Sequence, residues 1–255
     1  MNGSMHSIIS GREERVSALV RDAYGMEPVQ LRPLPGELDL NIYFETADGA
    51  AFTLKLARPG ADPAAADMEA SLLRHLNERA AGLRLPRPVA DRRGAFAFES
   101  EAFDGQPRLV RLMRWVPGRL YAEVSPQGEE LGTSLGEALG RLSGALRGFD
   151  HPAAHRWIKW DPVRVEWVAD KLQVFAESDQ RGLAVYFLQL FREAAAPHLP
   201  HLRCGVNYND ANDYNIIVEG TGGEARVSGF IDFGDAVYTP LINELAIALA
   251  YALMR

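Results

Sequence analysis

The amino-acid sequence predicts an α+β protein with a sheet-rich first part and a mainly helical second part. Three observations lead to this prediction. Residues 1–115 contain short strand-like runs separated by turn residues, whereas long helical patterns follow from residue 116 onward. Near the end of the chain, two short β-branched or apolar runs adjoin turns rich in Asp and Asn, which predicts a hairpin inserted among the helices.

The composition limits the class of protein and its partners. The chain has 255 residues, 47% hydrophobic and 24% charged, which is ordinary for a globular protein with a substantial core. Its net charge of −7 argues against nucleic acid as a partner, because that partner requires a basic patch. The sequence has neither a signal-peptide pattern nor an apolar run of about 20 residues, so we expect no membrane association and a cytoplasmic location. Cys204 is the only cysteine, which excludes an internal disulfide, and we expect its thiol to be buried and inert.

The first part, residues 1–115, is expected to hold two helices around a mostly antiparallel sheet. Apolar residues at helical spacing predict helices at Gly11–Tyr24 and Pro63–Ala81. A hairpin turn at Ala47, Asp48 and Gly49 joins two of the predicted strands. The five strands are expected at Val29–Leu34, Leu40–Thr46, Ala50–Ala57, Ala95–Glu101 and Arg108–Trp115.

The second part, residues 116–255, begins at a Val-Pro-Gly sequence that interrupts regular structure. Trp157, Trp160 and Trp167 are interpreted as core or helix-packing residues. The last predicted helix carries Leu245, Leu249 and Leu253 on one side. Four helical patterns are expected, at Glu129–Arg147, Val163–Ala176, Arg181–Ala196 and Leu241–Arg255.

The acidic hairpin carries the strongest chemical signal. Predicted strands at Ile216–Glu219 and Ala225–Ile231 are joined by a Gly-rich turn. Pairing them brings Asp210, Asn215 and Asp232 to one end of the hairpin. Carboxylate and amide oxygens are the ligands that Mg²⁺ prefers, so the sequence predicts a cation site there. Taken singly, Asp210 or Asn215 would be explained as well by a polar loop in which such residues cap turns.

A second group of candidate residues lies in the first part of the chain. Lys55 stands between Leu54 and Leu56 on a predicted strand, and Glu69 lies on the following helix. A Lys and a Glu placed in this way can pair, and the Lys can then hold nucleotide phosphates. An alternating strand that points Lys55 to solvent is the competing interpretation. Gly36 is the one glycine of the preceding LPGELDLN segment, which is a weak signal for a phosphate-binding loop.

Lys55, Glu69, NYNDANDYN and IDFGD, in this order over nearly the whole chain, resemble the aminoglycoside phosphotransferase and choline kinase family. The segments NDANDYNIIV and LPGELDLN are similar to the hydroxylysine-kinase-like branch of that family. The resemblance implies a protein-kinase-like two-lobed fold with ATP between the lobes. Residues 1–115 would form the nucleotide-binding N-lobe, and residues 116–255 the helical catalytic C-lobe with the metal-binding hairpin.

The resemblance also implies roles for individual residues. Lys55 would contact the α/β-phosphates of ATP, Glu69 would hold Lys55, and Gly36 would lie in the nucleotide loop. Hinge contacts to adenine would come from the backbone carbonyl of Arg114 and the N–H of Val116. The catalytic base would be Asp210, and the ligands of Mg²⁺ would be Asn215 and Asp232.

Three features depart from the family pattern. Tyr208 stands where the family usually has His, and its hydroxyl needs a hydrogen-bond partner if it is buried. Asn209 replaces the common Gly, as in the hydroxylysine-kinase-like branch. Family members normally continue past the helix at Leu241–Arg255, so we expect that C-terminal helices are missing and that fused or partner domains lie beyond the C-terminus, as in an N-terminal kinase domain of a longer fusion protein.

The function predicted from the sequence is ATP- and Mg²⁺-dependent phosphorylation of a hydroxyl on a small amine or amino acid of hydroxylysine type. One alternative is a catalytically weak or inactive nucleotide-binding or regulatory module of a larger protein. Another is an aminoglycoside phosphotransferase, which shares the mechanism. Asp213, Asp235 and Glu244 are candidates to attract the ammonium group of the substrate, or else residues that cap turns.

Overall fold

The structure is a computed structural model that describes residues 11–37, 39–125 and 127–254. It divides into two compact units, Met1–Pro117 and Gly118–Arg255. Both units mix helices and antiparallel strands, which confirms the predicted α+β class.

The first unit is built on one antiparallel sheet of six strands. The strands are β1 (Pro28–Leu34), β2 (Leu40–Thr46), β3 (Ala51–Leu56), β4 (Arg87–Val89), β5 (Phe98–Ser100) and β6 (Arg108–Arg114). They follow the order β1-β2-β3-β6-β4, and β5 pairs with the other end of β6. Helix α1 (Glu13–Tyr24) precedes the sheet, and α2 (Pro63–Arg79) follows its third strand.

The alternation in β3 explains how this sheet is anchored. Phe52, Leu54 and Leu56 are buried in one core cluster, together with Val16 and Val20 of α1. The intervening residues of β3, Lys55 among them, are only partly buried. A strand side chain alternates between the two faces of the sheet, so Lys55 lies on the face opposite this core.

Helix α2 begins where the sequence directs it. The Asp62 side chain accepts a hydrogen bond from the Ala64 N–H, and Pro63 occupies the first helical position. The helix buries a stripe that includes Met68, Leu72 and Leu76, as its spacing predicts. Glu69 is also buried in this stripe, and a buried carboxylate normally has a charged or hydrogen-bonding partner.

The second unit contains the predicted hairpin and a strand pair that the sequence did not predict. Its elements are β7 (Arg119–Leu120), α3 (Glu129–Leu146), α4 (Ser178–Leu190), β8 (Cys204–Asn207), β9 (Ile216–Glu219), β10 (Arg226–Phe230), β11 (Val237–Pro240) and α5 (Ile242–Leu253). The hairpin strands β9 and β10 form a sheet with the two-residue strand β7, in the order β10-β9-β7, and β8 pairs with β11 separately. The short strands β7, β8 and β11 lack a recognisable alternation, which explains why they were not predicted.

The region between α3 and β8 differs most from expectation. The predicted helix at Val163–Ala176 is a 3₁₀ helix over Pro162–Val174 with no buried residue. Beyond α4 the chain continues as a π-helical turn at Phe191–Ala195 and a 3₁₀ helix at Ala196–His201. The segment contacts α4, but its side chains stay at most partly buried, so little burial energy selects α-helical geometry over the tighter 3₁₀ form.

Two burial predictions in the second unit were wrong. Trp157 and Trp160 are 60% and 49% exposed, so they are not core residues. Lys159 lies over the rings of Trp160 and Trp167, at 4.1 and 4.9 Å from Nζ to the centroids, and covers part of their surface. The Cys204 thiol is exposed and not buried, because β8 begins at the surface.

Helix α5 turns its polar residues inward. Asn243 donates hydrogen bonds to Thr239 (3.0 Å) and to the Asp161 carboxylate (3.3 Å), and all three side chains are buried. Because these bonds fix the inner face of the helix, the predicted leucine stripe points outward. The exposed apolar residues are Ile242, Leu245, Leu249 and Leu253.

Across the described part of the chain, no helix combines the length and the apolar character that a membrane span requires.

Candidate active site

The first unit holds a buried ion network around Glu69. Lys55 Nζ lies 3.8 Å from Glu69 Oε1, and the Glu69 side chain is only 2% exposed. The predicted pair of a strand lysine and a helix glutamate is therefore present as a contact. Burial excludes the solvent-facing interpretation of Lys55, whose side chain is 13% exposed.

Arg111 also belongs to this network, although its role was not predicted from the sequence. It lies directly opposite Lys55 in the pairing of β3 with β6. Its guanidinium donates one short hydrogen bond to Glu69 Oε2 and another of 2.6 Å to Asp39 Oδ2. Two carboxylates and two cations thus balance one another in a partly buried place, as a stable buried charge requires. The available signal was an Arg within the apolar run LVRLM.

Gly36 has a steric reason to be glycine. A Cβ at this position would lie 2.5 Å from the Asp39 carbonyl oxygen and 2.6 Å from Asn41 Nδ2. The turn before β2 therefore closes only around a residue without a side chain. Because Asp39 is bonded to Arg111, this turn is tied to the ion network.

The two predicted hinge residues end β6 and follow it. Arg114 is the last residue of β6, and its exposed guanidinium lies over the Phe52 ring at 5.3 Å. Val116 is buried. The contacts of these two residues to adenine stay a prediction.

In the second unit, Asp210 lies in the loop between β8 and β9, held by two side-chain amides. Asn212 Nδ2 donates to one carboxylate oxygen at 2.7 Å, and Asn215 Nδ2 donates to the other at 2.6 Å. Two donors on two different oxygens fix the plane of the carboxylate. The loop also folds on itself through the Asn215 N–H to Asn212 carbonyl bond of 3.0 Å.

The hairpin brings Asn215 beside Asp232, as the sequence predicts. Ile216 pairs with Phe230, and the Ile231 N–H donates to the Asn215 carbonyl at 2.9 Å. Asp232 follows with a φ of 58°, a left-handed conformation that costs a residue with a side chain about 1–2 kcal/mol. Such strain persists only where neighbouring contacts impose it.

Burial and nearby charges make Asp210 a stronger base than an ordinary aspartate. Burial raises the pKa of Asp210 to about 7, against hydrogen bonds from Asn212 and Asn215 that lower it. The charges of Asp235 and Asp232 raise the pKa further. A carboxyl poised near neutral pH suits a general base.

Tyr208 and Glu244 support the loop that carries Asp210. The buried Tyr208 hydroxyl donates to the Ile231 carbonyl, which confirms the expectation that it has a partner. Burial raises the pKa of Tyr208 well above its usual value, so it stays a donor. Glu244 accepts the Asn209 N–H at 3.1 Å. Asn209 itself has a φ of 64°, which explains why the position accepts Gly or Asn.

The three carboxylates proposed to bind an ammonium group, those of Asp213, Asp235 and Glu244, have different surroundings in the structure. Glu244 is buried and caps backbone, so the capping interpretation holds for it. Asp213 is also buried, and its carbonyl accepts the Ala122 N–H at 2.8 Å. Asp235 is partly buried and lies close enough to Asp210 to influence its pKa.

The chemistry of the donor set fits a hard cation. Asp232 and Asp235 lie close enough to Asp210 for their charges to act on it, and the Asn215 amide is bonded to the Asp210 carboxylate. Oxygen donors of this kind suit Mg²⁺ or Ca²⁺. In the described part of the chain, this site included, no three His, Cys, Asp or Glu side chains are grouped so that they could hold a metal ion by themselves, so a cation here would also need the Asn215 amide oxygen.

Solved structures of small-molecule kinases share this fold. An amicoumacin kinase in complex with AMP-PNP, Ca²⁺ and amicoumacin has a TM-score of 0.70 and 20% identity over 98% of this chain and 72% of that one. A microcompartment-associated aminopropanol kinase has a TM-score of 0.72 and 18% identity over 92% and 73% of the two chains.

The model of the phosphotransferase enzyme family matches residues 30–255, and the chain belongs to that family. Among curated proteins, hydroxylysine kinase of Bos taurus is 28% identical over 95% of this chain and 69% of the relative. Hydroxylysine kinase of Mus musculus is 27% identical over the same shares. The family resemblance read from the sequence is thereby confirmed, and the protein is a phosphotransferase enzyme that acts on small molecules.

Proposed function

We propose that the protein is an ATP- and Mg²⁺-dependent kinase that transfers the γ-phosphate of ATP to a hydroxyl of a small amine or amino acid. The observation that carries this proposal is the orientation of the Asp210 carboxylate, which is fixed by the side-chain amides of Asn212 and Asn215. We place the activity in the cytoplasm, where ATP is supplied.

Each residue has a role in this proposal. Asp210 orients the acceptor hydroxyl and accepts its proton as the new O–P bond forms and the bond from the γ-phosphorus to the bridging oxygen breaks, which releases ADP. Asn215 and Asp232 hold Mg²⁺, which when bound neutralises charge that develops on the transferred phosphoryl group. Lys55 contacts the phosphates, and Glu69 and Arg111 hold Lys55 and the Gly36 turn in place. The backbone of Arg114 and Val116 receives the adenine.

The acceptor is proposed to carry an ammonium group, as hydroxylysine does. A cavity of about 570 Å³ in the second unit is lined by Tyr121, Glu123, Glu129 and Ala252, among others. Its volume is ordinary for a small-molecule pocket, and none of the described residues that line it is cationic. The backbone bond from Ala122 to Asp213 ties this cavity to the catalytic loop. Acidic walls favour a cationic substrate.

A substrate panel tests the proposal. Purified protein with ATP and Mg²⁺ should consume ATP when 5-hydroxylysine or an amino alcohol is added, and less readily with kanamycin. Thermal shift with ATP and Mg²⁺ should be measured in parallel. Nucleotide binding without consumption across the whole panel would instead favour the regulatory module, and consumption with kanamycin alone would favour an aminoglycoside phosphotransferase.

A further inference from the structure

Arg156 lies outside both sequence motifs, yet it contacts the loop that carries Asp232. Its Nη2 donates to the Gly234 carbonyl and, at 3.1 Å, to the Ala236 carbonyl. These carbonyls flank Asp235, and the first lies two residues after Asp232. A guanidinium that binds two backbone oxygens fixes their separation as well as their position.

The segment that supplies Arg156 is itself held against the strand that follows this loop. The His155 ring stacks on Tyr238 of β11, with centroids 4.4 Å apart. His155 Nε2 also lies 2.7 Å from the Asp150 carboxylate. Arg156 is therefore presented to the loop from a fixed position and is half-buried there.

The opposite end of the loop is held by Tyr208. Its hydroxyl donates to the Ile231 carbonyl, immediately before Asp232, and its ring packs on Phe233 with centroids 4.6 Å apart. Tyr208 thus contacts both neighbours of the strained Asp232. Arg156 holds the part of the loop that follows Phe233, at the carbonyls of Gly234 and Ala236.

We propose that Arg156 is a positioning residue for the metal-binding half of the site, which acts through the backbone of Gly234 and Ala236 to keep Asp232 in its left-handed conformation. The proposal rests on the assignment of Asp232 as a metal ligand under the proposed function. Removal of residues that orient a metal ligand typically costs about 10–100-fold in metal affinity.

The test compares Arg156→Gln and Arg156→Lys with wild type. Arg192→Gln is the matched control, because Arg192 pairs with Glu166 in the same unit and far from this loop in sequence. The readouts are amide hydrogen exchange of residues 231–237 without metal, Mn²⁺ affinity by electron paramagnetic resonance, the Mg²⁺ concentration for half-maximal activity, and the KM for ATP at saturating Mg²⁺.

Arg156→Gln should speed exchange of these amides and weaken Mn²⁺ binding about 10–100-fold, with the KM for ATP unchanged. Lysine keeps a cationic nitrogen but lacks the planar guanidinium that presents its donors in a fixed geometry, and it should give an intermediate result. Unchanged exchange and Mn²⁺ affinity would overturn the proposal. So would faster exchange spread evenly over the unit, which indicates a merely structural role.

Two further outcomes are also decisive. If Arg156→Gln does not fold, Arg156→Lys is judged by the same local exchange and Mn²⁺ affinity. If wild type turns over no substrate, the proposed function fails on its own, whereas exchange in the metal-free protein still shows whether Arg156 restrains the loop.

Discussion

Asn209 shows how a single backbone conformation selects a residue. Its φ of 64° suits Gly best and Asn next, and its N–H is used by Glu244. The side chain is 2% exposed, and the structure gives its amide no hydrogen-bond partner among the described residues. A buried amide without a partner costs about 1–3 kcal/mol.

Asn209→Gly should therefore stabilise the second unit by about 1 kcal/mol, since it removes the buried amide at some cost in chain entropy. Asn209→Ala should be less stable than Asn209→Gly, because Ala is strained at positive φ. Denaturant unfolding followed by tryptophan fluorescence measures both. A glycine variant less stable than wild type would show that the Asn209 amide is satisfied.

Glu244 makes the stability of the second unit depend on pH. Burial raises the pKa of Glu244 to about 7, although hydrogen bonds from the Asn209 and Tyr208 backbone lower it, against an ordinary value of 4.5. The unfolded chain loses this proton first as the pH rises. Unfolding therefore releases a proton between about pH 4.5 and 7, and stability falls through that window.

Glu244→Gln should flatten this dependence, because glutamine keeps an oxygen for the Asn209 N–H and carries no charge. The free energy of unfolding should be measured for both proteins at pH 5 and at pH 8. From pH 5 to pH 8, wild type should lose more of this stability than Glu244→Gln, by at most on the order of 3 kcal/mol. Equal pH dependence of the free energy of unfolding in the two proteins would contradict this.

At the scale of elements, β3, β6 and α2 are joined by charge as well as by apolar packing. Arg111 on β6 contacts Glu69 on α2 and Asp39 before β2, and Lys55 on β3 shares Glu69. Without Arg111, the 2%-exposed Glu69 carboxylate would have Lys55 alone, at 3.8 Å. Removal of one partner from a buried ion pair is far more costly than replacement of the whole pair.

Arg111→Gln should accordingly destabilise the first unit by about 3 kcal/mol and raise the KM for ATP through the loss of the Asp39 contact. Arg21→Gln is the control, since Arg21 forms an exposed pair with Glu27 in the same unit and should matter little. Hydrogen exchange of β3 and β6 measures the stability. Equal effects of the two substitutions would refute the role of Arg111.

At the scale of the whole molecule, local signals in the sequence predicted the elements that pack on a core. The strand β3, the apolar stripe of α2 and the hairpin from Asn215 to Asp232 are examples, because each depends on neighbouring residues alone. The same patterns, with the family motifs, led to the α+β class and to the phosphotransferase family.

Contacts between distant residues were not predictable in this way. Arg111 contacts Asp39 across 72 residues of sequence, and Arg156 contacts Gly234 across 78. The spacing of the leucines in α5 predicted a stripe on one side of the helix but not its direction, which is set by the hydrogen bonds of the opposite face to Asp161 and Asn209. The roles of the site residues and the functions of the two lobes stay predictions.

The central claim is that Asp210 is the catalytic base of a small-molecule kinase. Asp210→Asn keeps the size of the side chain and should leave the fold and ATP binding intact, with Asp170→Asn, on the exposed 3₁₀ segment, as the control. The decisive measurement is the rate of phosphoryl transfer from ATP to 5-hydroxylysine, or to whichever panel substrate is turned over. It should fall about 10²–10⁴-fold in Asp210→Asn and stay at the wild-type value in Asp170→Asn; a folded Asp210→Asn protein with near-wild-type turnover would contradict the claim.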